Sequence, residues 1–465
     1  MQTLPRVLMI AHNDVTSPAF GGIEVYMNNL KRSFAGEYEV YSYIPRNLAP
    51  NGVTQFLDSQ DHVIDSIEWK TPFTNWELSN DERESAFSEL LIKHRIELVH
   101  IHHLSGHPPA LATVAKNLGI PVIFSAHDYF GICHVSNLLN DKDKYCRPET
   151  LEMRDCDKCL HSKYGVLGGS QLTRRDYWEE LLLSLDGLIF NTIGSVRLFQ
   201  NIYPSLATHP QISLMPVAIE RRNRDLSNKS NSKRLQVAII GHLIDHKGAK
   251  AILAAINALA SEAIDFRIFG PIDEKYIDAL DPHVNKTVFL YGIYPPGEPP
   301  DAFFNCSVSL HLSTCPETYG LTLSESVSAG MVPIASSLGA LGERIIHEHN
   351  GILVSESSSE DIIQALCRLQ ANRDELADYQ KATISIPVAY LDQHTRELSN
   401  LYEILIKKAA HCKEGIDTTE LVSNPTLSNG GLHNVFWAKF PANDLALKKN
   451  QNIFKRMGSW LRNSD

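Results

Sequence analysis

The stretch Glu317-Thr318-Tyr319-Gly320-Leu321-Thr322-Leu323-Ser324-Glu325 decides how this chain is read, because it sets two carboxylates eight residues apart across a loop-to-helix junction. The run before it, Ser307 to Leu312, reads as a buried strand, and Cys315-Pro316 breaks it. Glu317 then stands at the carboxyl end of a strand and Thr318 to Leu321 at a helix start, the edge where open α/β sheets bind ligands. Exposed N–H groups at a helix start favour a pyrophosphate. Thr318, Tyr319, Gly320 and Leu321 would line it, Glu317 would reach sugar hydroxyls, and Glu325 would take both hydroxyls of a ribose. An acidic pair at this spacing is also compatible with two solvated side chains, so its surroundings matter.

After Glu325 come a small-residue helix (Ser326 to Ala329), a glycine stop at Gly330, an apolar strand (Val332 to Ala335) and the glycine-rich turn Gly339-Ala340-Leu341-Gly342 before Glu343-Arg344. Asn350-Gly351-Ile352-Leu353-Val354 adds another turn and strand. This order resembles the C-terminal signature of the family-4 retaining glycosyltransferases of the GT-B fold. The resemblance covers most of residues 1 to 410 and implies two doubly wound Rossmann-like domains facing a central cleft, with a C-terminal crossover helix.

The 465 residues exceed one ordinary core and fit two domains of roughly 200 residues each. Apolar runs alternate with helical patterns, which favours parallel α/β layers. Strands are expected at Arg6 to Ala11, Tyr38 to Ile44, Leu98 to His102, Pro121 to Ser125 and Gly187 to Asn191, and the run Ile212 to Ile219 leads out of this series. A polar stretch from Glu220 to Arg234 follows, and a second series runs through Leu235 to Leu243, Phe266 to Phe269, Thr287 to Tyr291, Ser307 to Leu312 and Val332 to Ala335. The expected division is 1–220, with a Cys-rich insertion at 133–159, then 221–388, a crossover helix at 389–412 and a tail at 413–465. A net charge of −11 argues against nucleic acid as a partner. No apolar run reaches about 18 residues and no signal-peptide pattern opens the chain, so a cytoplasmic location is expected.

Three further landmarks carry the resemblance. Gly21-Gly22, after the first strand and before a helix, lets backbone approach a ligand; G-x-G-x-x-G is absent, and the resemblance assigns this loop to the acceptor side of the cleft. Ser125-Ala126-His127-Asp128-Tyr129 ends another strand, and His127 resembles the cleft histidine that positions the transferred sugar; His100, His102, His103 and His107 carry no such context. Gly241-His242-Leu243-Ile244-Asp245-His246-Lys247-Gly248 resembles the donor-phosphate loop. Relatives carry arginine where this chain has His242, and a neutral imidazole loses the bidentate fork that fits phosphate oxygens, leaving Lys247 as the compact positive charge.

Cys133, Cys146, Cys156 and Cys159 cluster in a loop-like segment, ending in Cys-x-x-Cys. Four thiolates suit a closed structural zinc site, with Lys142, Lys144, Arg147 and Lys158 offsetting the charge; four unmetallated cysteines are the plainer alternative. A redox pair is disfavoured because no helix pattern is evident after it. The resemblance implies no catalytic metal, positive residues and helix dipoles standing in place of a cation. Tyr390 to Ala410 reads as the crossover helix. Beyond it lies a Val435-Phe436-Trp437 patch, and Ile453, Phe454, Met457, Trp460 and Leu461 form a stripe flanked by Lys455, Arg456 and Arg462. Residues 452–465 thus make either a membrane-surface helix or a packing segment.

The activity implied is transfer of a sugar from a nucleotide diphosphate sugar to a hydroxyl acceptor with retention, with Glu317 and His127 at the reacting centre. The resemblance also implies a glycan or lipid-linked acceptor in cell-surface polysaccharide assembly, lipopolysaccharide included. A nucleotide-sugar epimerase and a catalytically silent nucleotide-sugar-binding subunit are the alternatives.

Overall fold

The computed structural model describes residues 4–17, 20–221, 232–283, 285–295, 297–355 and 358–414. The expected tail features at 435–437 and 452–465, and most of the polar stretch 220–234, lie outside them.

Two sheets form. The first contains β1 (Arg6–Ile10), β2 (Glu39–Arg46), β3 (Val53–Leu57), β4 (Val63–Glu68), β5 (Leu98–Ile101), β6 (Val122–Ala126), β7 (Gly187–Phe190) and β8 (Ile212–Leu214), in the order β4-β3-β2-β1-β5-β6-β7-β8. The second contains β9 (Leu235–Ile240), β10 (Ile264–Phe269), β11 (Val288–Gly292), β12 (Val308–His311), β13 (Val332–Ser336) and β14 (Ile352–Val354), in the order β11-β10-β9-β12-β13-β14, parallel throughout. The central strands are mostly apolar because both their faces are covered, and in β1 the run is unbroken: Val7, Leu8, Met9 and Ile10 are all fully buried. This is the doubly wound, two-sheet α/β architecture expected.

Two features depart from the expected strands. β3 and β4 pair antiparallel beyond β2, so the first sheet is mixed. Their signal is weak because β4 is an edge whose Val63 and Ile64 stay exposed, which leaves no inward apolar face to read. The run Ile212 to Ile219 adds a strand only over Ile212–Leu214, since Pro216 has no N–H for a ladder. Beyond it, Val217 N donates to Asn191 Oδ1 at 3.1 Å.

The helices that position the cleft are α1 (Gly22–Ser33), α2 (Met153–Tyr164), α3 (Ile193–Ile202), α4 (Leu321–Ser328), α5 (Gly339–Arg344) and α6 (Leu391–Glu414). The crossover is as expected. Outgoing and returning chain run side by side, with Ile219 N donating to Ala389 O and Leu391 N to Ile219 O, both at 3.0 Å. On α6, Leu398, Leu401, Tyr402 and Leu405 then pack in one core with Val7 and Met9 of β1 and Tyr26, Leu30 and Phe34 of α1. The 3.6-residue period of these apolar positions gives the helix one buried stripe.

Candidate active site

Glu317 sits past β12 with its side chain partly buried. It accepts from Ser313 Oγ and pairs with Lys247 Nζ. Burial pushes its pKa up, but Lys247 and Ser313 outweigh burial and hold it below the ordinary range; desolvation opposes the Lys247 charge, and Glu317 more than restores it. Both groups are therefore charged at neutral pH. The main chain is held as firmly: Ala340 N donates to Glu317 O at 2.8 Å. Gly339, at φ +53°, allows that approach, since a Cβ there would lie 2.5 Å from Glu317 O.

α4 starts immediately after Gly320, whose φ of +79° turns the chain into the helix. Its first residue, Leu321, faces the Gly21-Gly22 loop, with a Cβ at Gly22 only 3.8 Å from Leu321 Cδ2. Gly241, at the end of β9, faces the same helix: a Cβ there would lie 3.6 Å from Thr322 Cγ2. One turn on, Glu325 lines a small apolar cavity with Val25, Asn29, Phe303 and Phe304.

His127 follows β6 and meets this junction from across the cleft, its main-chain oxygen accepting from Thr318 Oγ1 at 2.6 Å. Its Nε2 lies 3.0 Å from His102 Nδ1, and the Tyr26 ring stands edge-on at 5.2 Å. Burial lowers the His127 pKa to about 3, so the imidazole is neutral. A neutral ring beside a sugar can orient hydroxyls but adds no charge to the phosphates.

His242 is exposed, and burial of part of its ring, with Lys247 nearby, keeps its pKa below the ordinary value against the opposing pull of Asp273. It does not replace a guanidinium. Glu317, Lys247, Thr318, Leu321, Gly22, Gly241 and His127 are thus brought to one junction, with Glu325 one turn behind.

The four cysteines come close enough for each thiol to oppose ionisation of another. Their segment corrects the expectation of a loop: Cys156 and Cys159 lie on α2, a 12-residue helix. The cations facing them also differ, being Arg174, Arg175 and Lys163 rather than Lys142, Lys144, Arg147 and Lys158. Burial pushes the Cys146 thiol up to about 12 and Cys156 to about 11, the reverse of a reactive thiolate. Among the described residues no group of three or more His, Cys, Asp or Glu is arranged to hold a metal ion.

Sequence reasoning passed over three residues that shape the site. His102 backs His127 from the end of β5, and could have been found by the strand-end rule that singled out His127. Arg344 lies behind Tyr319-Gly320. Glu343 crosses the cleft to accept from Gly194 N of α3 at 3.0 Å. Between the sheets opens a cavity of about 370 Å³ lined by Tyr129, Tyr145, Arg147, Arg197, Pro316 and Glu343 among others.

Two Rossmann-like units closed over a cleft, joined by a helix that returns to the first, define the GT-B class. The sequence matches the model for Glycosyltransferase Family 4 over residues 20–192 and that for Glycosyl transferases group 1 over residues 220–385. The chain is a family-4 glycosyltransferase of the GT-B fold, and an enzyme. A D-inositol 3-phosphate glycosyltransferase from Corynebacterium aurimucosum is 24% identical over 318 residues, covering 65% of this chain and 68% of that protein. In fold, the chain is similar to Anabaena Alr3699/HepE, solved with UDP and glucose (TM-score 0.55, 14% identity, 85% of this chain and 98% of the other). It is also similar to sucrose-phosphate synthase from Thermosynechococcus elongatus (TM-score 0.58, 16% identity, 87% and 100%). The epimerase and silent-subunit alternatives are not favoured. No helix among the described residues is long and apolar enough to cross a membrane.

Proposed function

We propose that the enzyme moves a sugar from a nucleotide diphosphate sugar to a hydroxyl acceptor with retention at the anomeric carbon, the acceptor being a lipid-linked glycan of cell-surface polysaccharide assembly at the cytoplasmic face of a membrane. The observation that carries the donor half is the Glu317–Lys247 pair set before the start of α4 and opposite His127. Lys247 and the amides from Thr318 to Leu321 hold the diphosphate, Gly241 lets it approach, Glu325 takes the ribose, and Glu317 and His127 take sugar hydroxyls. As the bond from the anomeric carbon to phosphate breaks, charge develops on the leaving oxygen, where fixed donors act best. The acceptor oxygen attacks from the same face and its proton passes to the departing phosphate oxygen. The Gly21-Gly22 loop and the cavity beside Tyr129 and Arg147 receive the acceptor. A uridine diphosphate sugar is the first donor to try, because a structural neighbour was solved with UDP and glucose.

The division at 220, 388 and 412 fits this reading, with each sheet supplying one wall of the cleft. For the four cysteines we propose a structural zinc ion, which Cys133, Cys146, Cys156 and Cys159 would hold as thiolates; that each thiol lies close enough to oppose another's ionisation supports it. About one zinc per chain in purified protein is expected, and metal-free active protein refutes it.

The test of the donor reading is nucleotide release from a panel of nucleotide diphosphate sugars, with and without a membrane lipid extract. Release that requires one donor and the extract supports transfer to a lipid-linked acceptor. Donor loss with an isomerised sugar and no extract requirement would point to an epimerase instead.

A further inference from the structure

We propose that Arg344 is a positioning residue for the donor diphosphate, acting through the Tyr319-Gly320 backbone rather than by touching the ligand; this rests on the donor reading above. Arg344 ends α5 and is 7% exposed. Its Nη1 donates to Tyr319 O at 2.8 Å and Gly320 O at 3.1 Å, and its Nη2 to Ser324 Oγ and Pro387 O, both at 2.8 Å. The guanidinium lies 4.0 Å over the Tyr319 ring.

In a trans peptide the C=O and the following N–H point in opposite directions. Fastening the carbonyls of Tyr319 and Gly320 to one guanidinium nitrogen, Nη1, therefore turns the N–H groups of Gly320 and Leu321 away from it. Neither N–H has an acceptor among the described residues. They open α4, where an anion is stabilised by free amides and the helix dipole. Arg344 is thus the mould that holds these two donors in one direction.

The charge supports the same assignment. Among the described residues the four acceptors of Arg344 are neutral oxygens, and a buried guanidinium without a counter-anion is costly. A diphosphate on the opposite side of the Tyr319-Gly320 backbone supplies the missing negative charge. A lysine keeps the charge, but its single nitrogen cannot serve Tyr319 O and Gly320 O from one position and Ser324 Oγ and Pro387 O from another, as Nη1 and Nη2 do.

The test is calorimetric titration of the full chain and its Arg344→Met and Arg344→Lys variants with nucleoside diphosphate and the matching nucleoside. The inference predicts at least tenfold weaker diphosphate binding in Arg344→Met, nucleoside binding within twofold of wild type, and an intermediate loss in Arg344→Lys. Equal losses for nucleoside and diphosphate, or no loss, would overturn it. Where circular dichroism shows Arg344→Met unfolded, Arg344→Lys decides alone by the same split. Wild-type protein that binds no nucleoside diphosphate overturns the donor reading itself, and this inference with it.

Discussion

Glu317 and Lys247 are paired with each other, so on the proposed donor reading phosphate would share Lys247 with the carboxylate. Lys247→Met is expected to weaken nucleoside diphosphate binding by about ten- to a hundredfold, because one charge-assisted contact to an anion is worth about 1.5–3 kcal/mol. Glu317→Gln should bind the diphosphate nearly as well and lose at least a hundredfold in turnover; equal binding losses in both variants would contradict the separate roles. Because Glu317 is held below its usual range and Lys247 above, the pair stays ionised between them. Its contribution is lost only as pH falls through the lowered Glu317 pKa or rises through the raised Lys247 pKa. His242 is the departure with a direct remedy. His242→Arg restores a planar fork at the mouth of the phosphate loop and is expected to tighten nucleoside diphosphate binding several-fold by calorimetry; unchanged affinity would mean the position does not reach phosphate. Glu317 and Lys247 were legible because their types and strand-end positions carry the signal. Arg344 and His102 were not, because their importance lies in what a distant part of the chain presents to them: two carbonyls for the one, the His127 ring for the other.

Among elements, those buried on both faces were the readable ones. β1 is an unbroken apolar run from Val7 to Ile10, β5, β9 and β12 are mostly apolar and buried with one or two polar residues each, and α6 shows one apolar stripe. β3 and β4 were missed because an edge hairpin with an exposed side has little patterning to separate it from loop, and α2 because its sequence, rich in Asp, Lys and Arg, presents only Cys156 and Leu160 inward. The junction between β13 (Val332–Ser336) and α5 tests whether element geometry controls the site. Gly339→Ala would put a Cβ against Glu317 O at a φ that disfavours side chains. It should cost about 1–3 kcal/mol of stability and, because the displaced atom belongs to Glu317, lower turnover well beyond the unfolded fraction. A melting shift with full turnover in the folded protein would show that Glu317 tolerates the displacement.

Over the whole molecule, several histidines are held neutral by burial, His107 and His127 of the first domain among them. Burial lowers His107 and His127 to about 3, and His311 in the second domain likewise, while His394 on α6 falls to about 4. The unfolded chain protonates these near about 6.5 and the folded one does not, so unfolding takes up protons as pH falls. Stability is therefore complete above about 6.5 and lost progressively toward the folded values, each such group steepening the slope by up to about 1.4 kcal/mol per pH unit. Melting temperature measured from pH 8 to 5 should stay level and then fall below about 6.5; a level curve down to pH 5 would mean these rings are not held neutral. The two sheets meet through Thr318 with His127 and Glu343 with Gly194, so cleft geometry depends on both units at once, which no single stretch of sequence displays. The measurement that bears most directly on the enzyme as a whole is nucleotide release from a panel of nucleotide diphosphate sugars, with and without lipid extract, beside a Glu317→Ala control. Glycosyl transfer predicts release that needs one donor and the extract and disappears in the control; donor binding without release under every condition would contradict it.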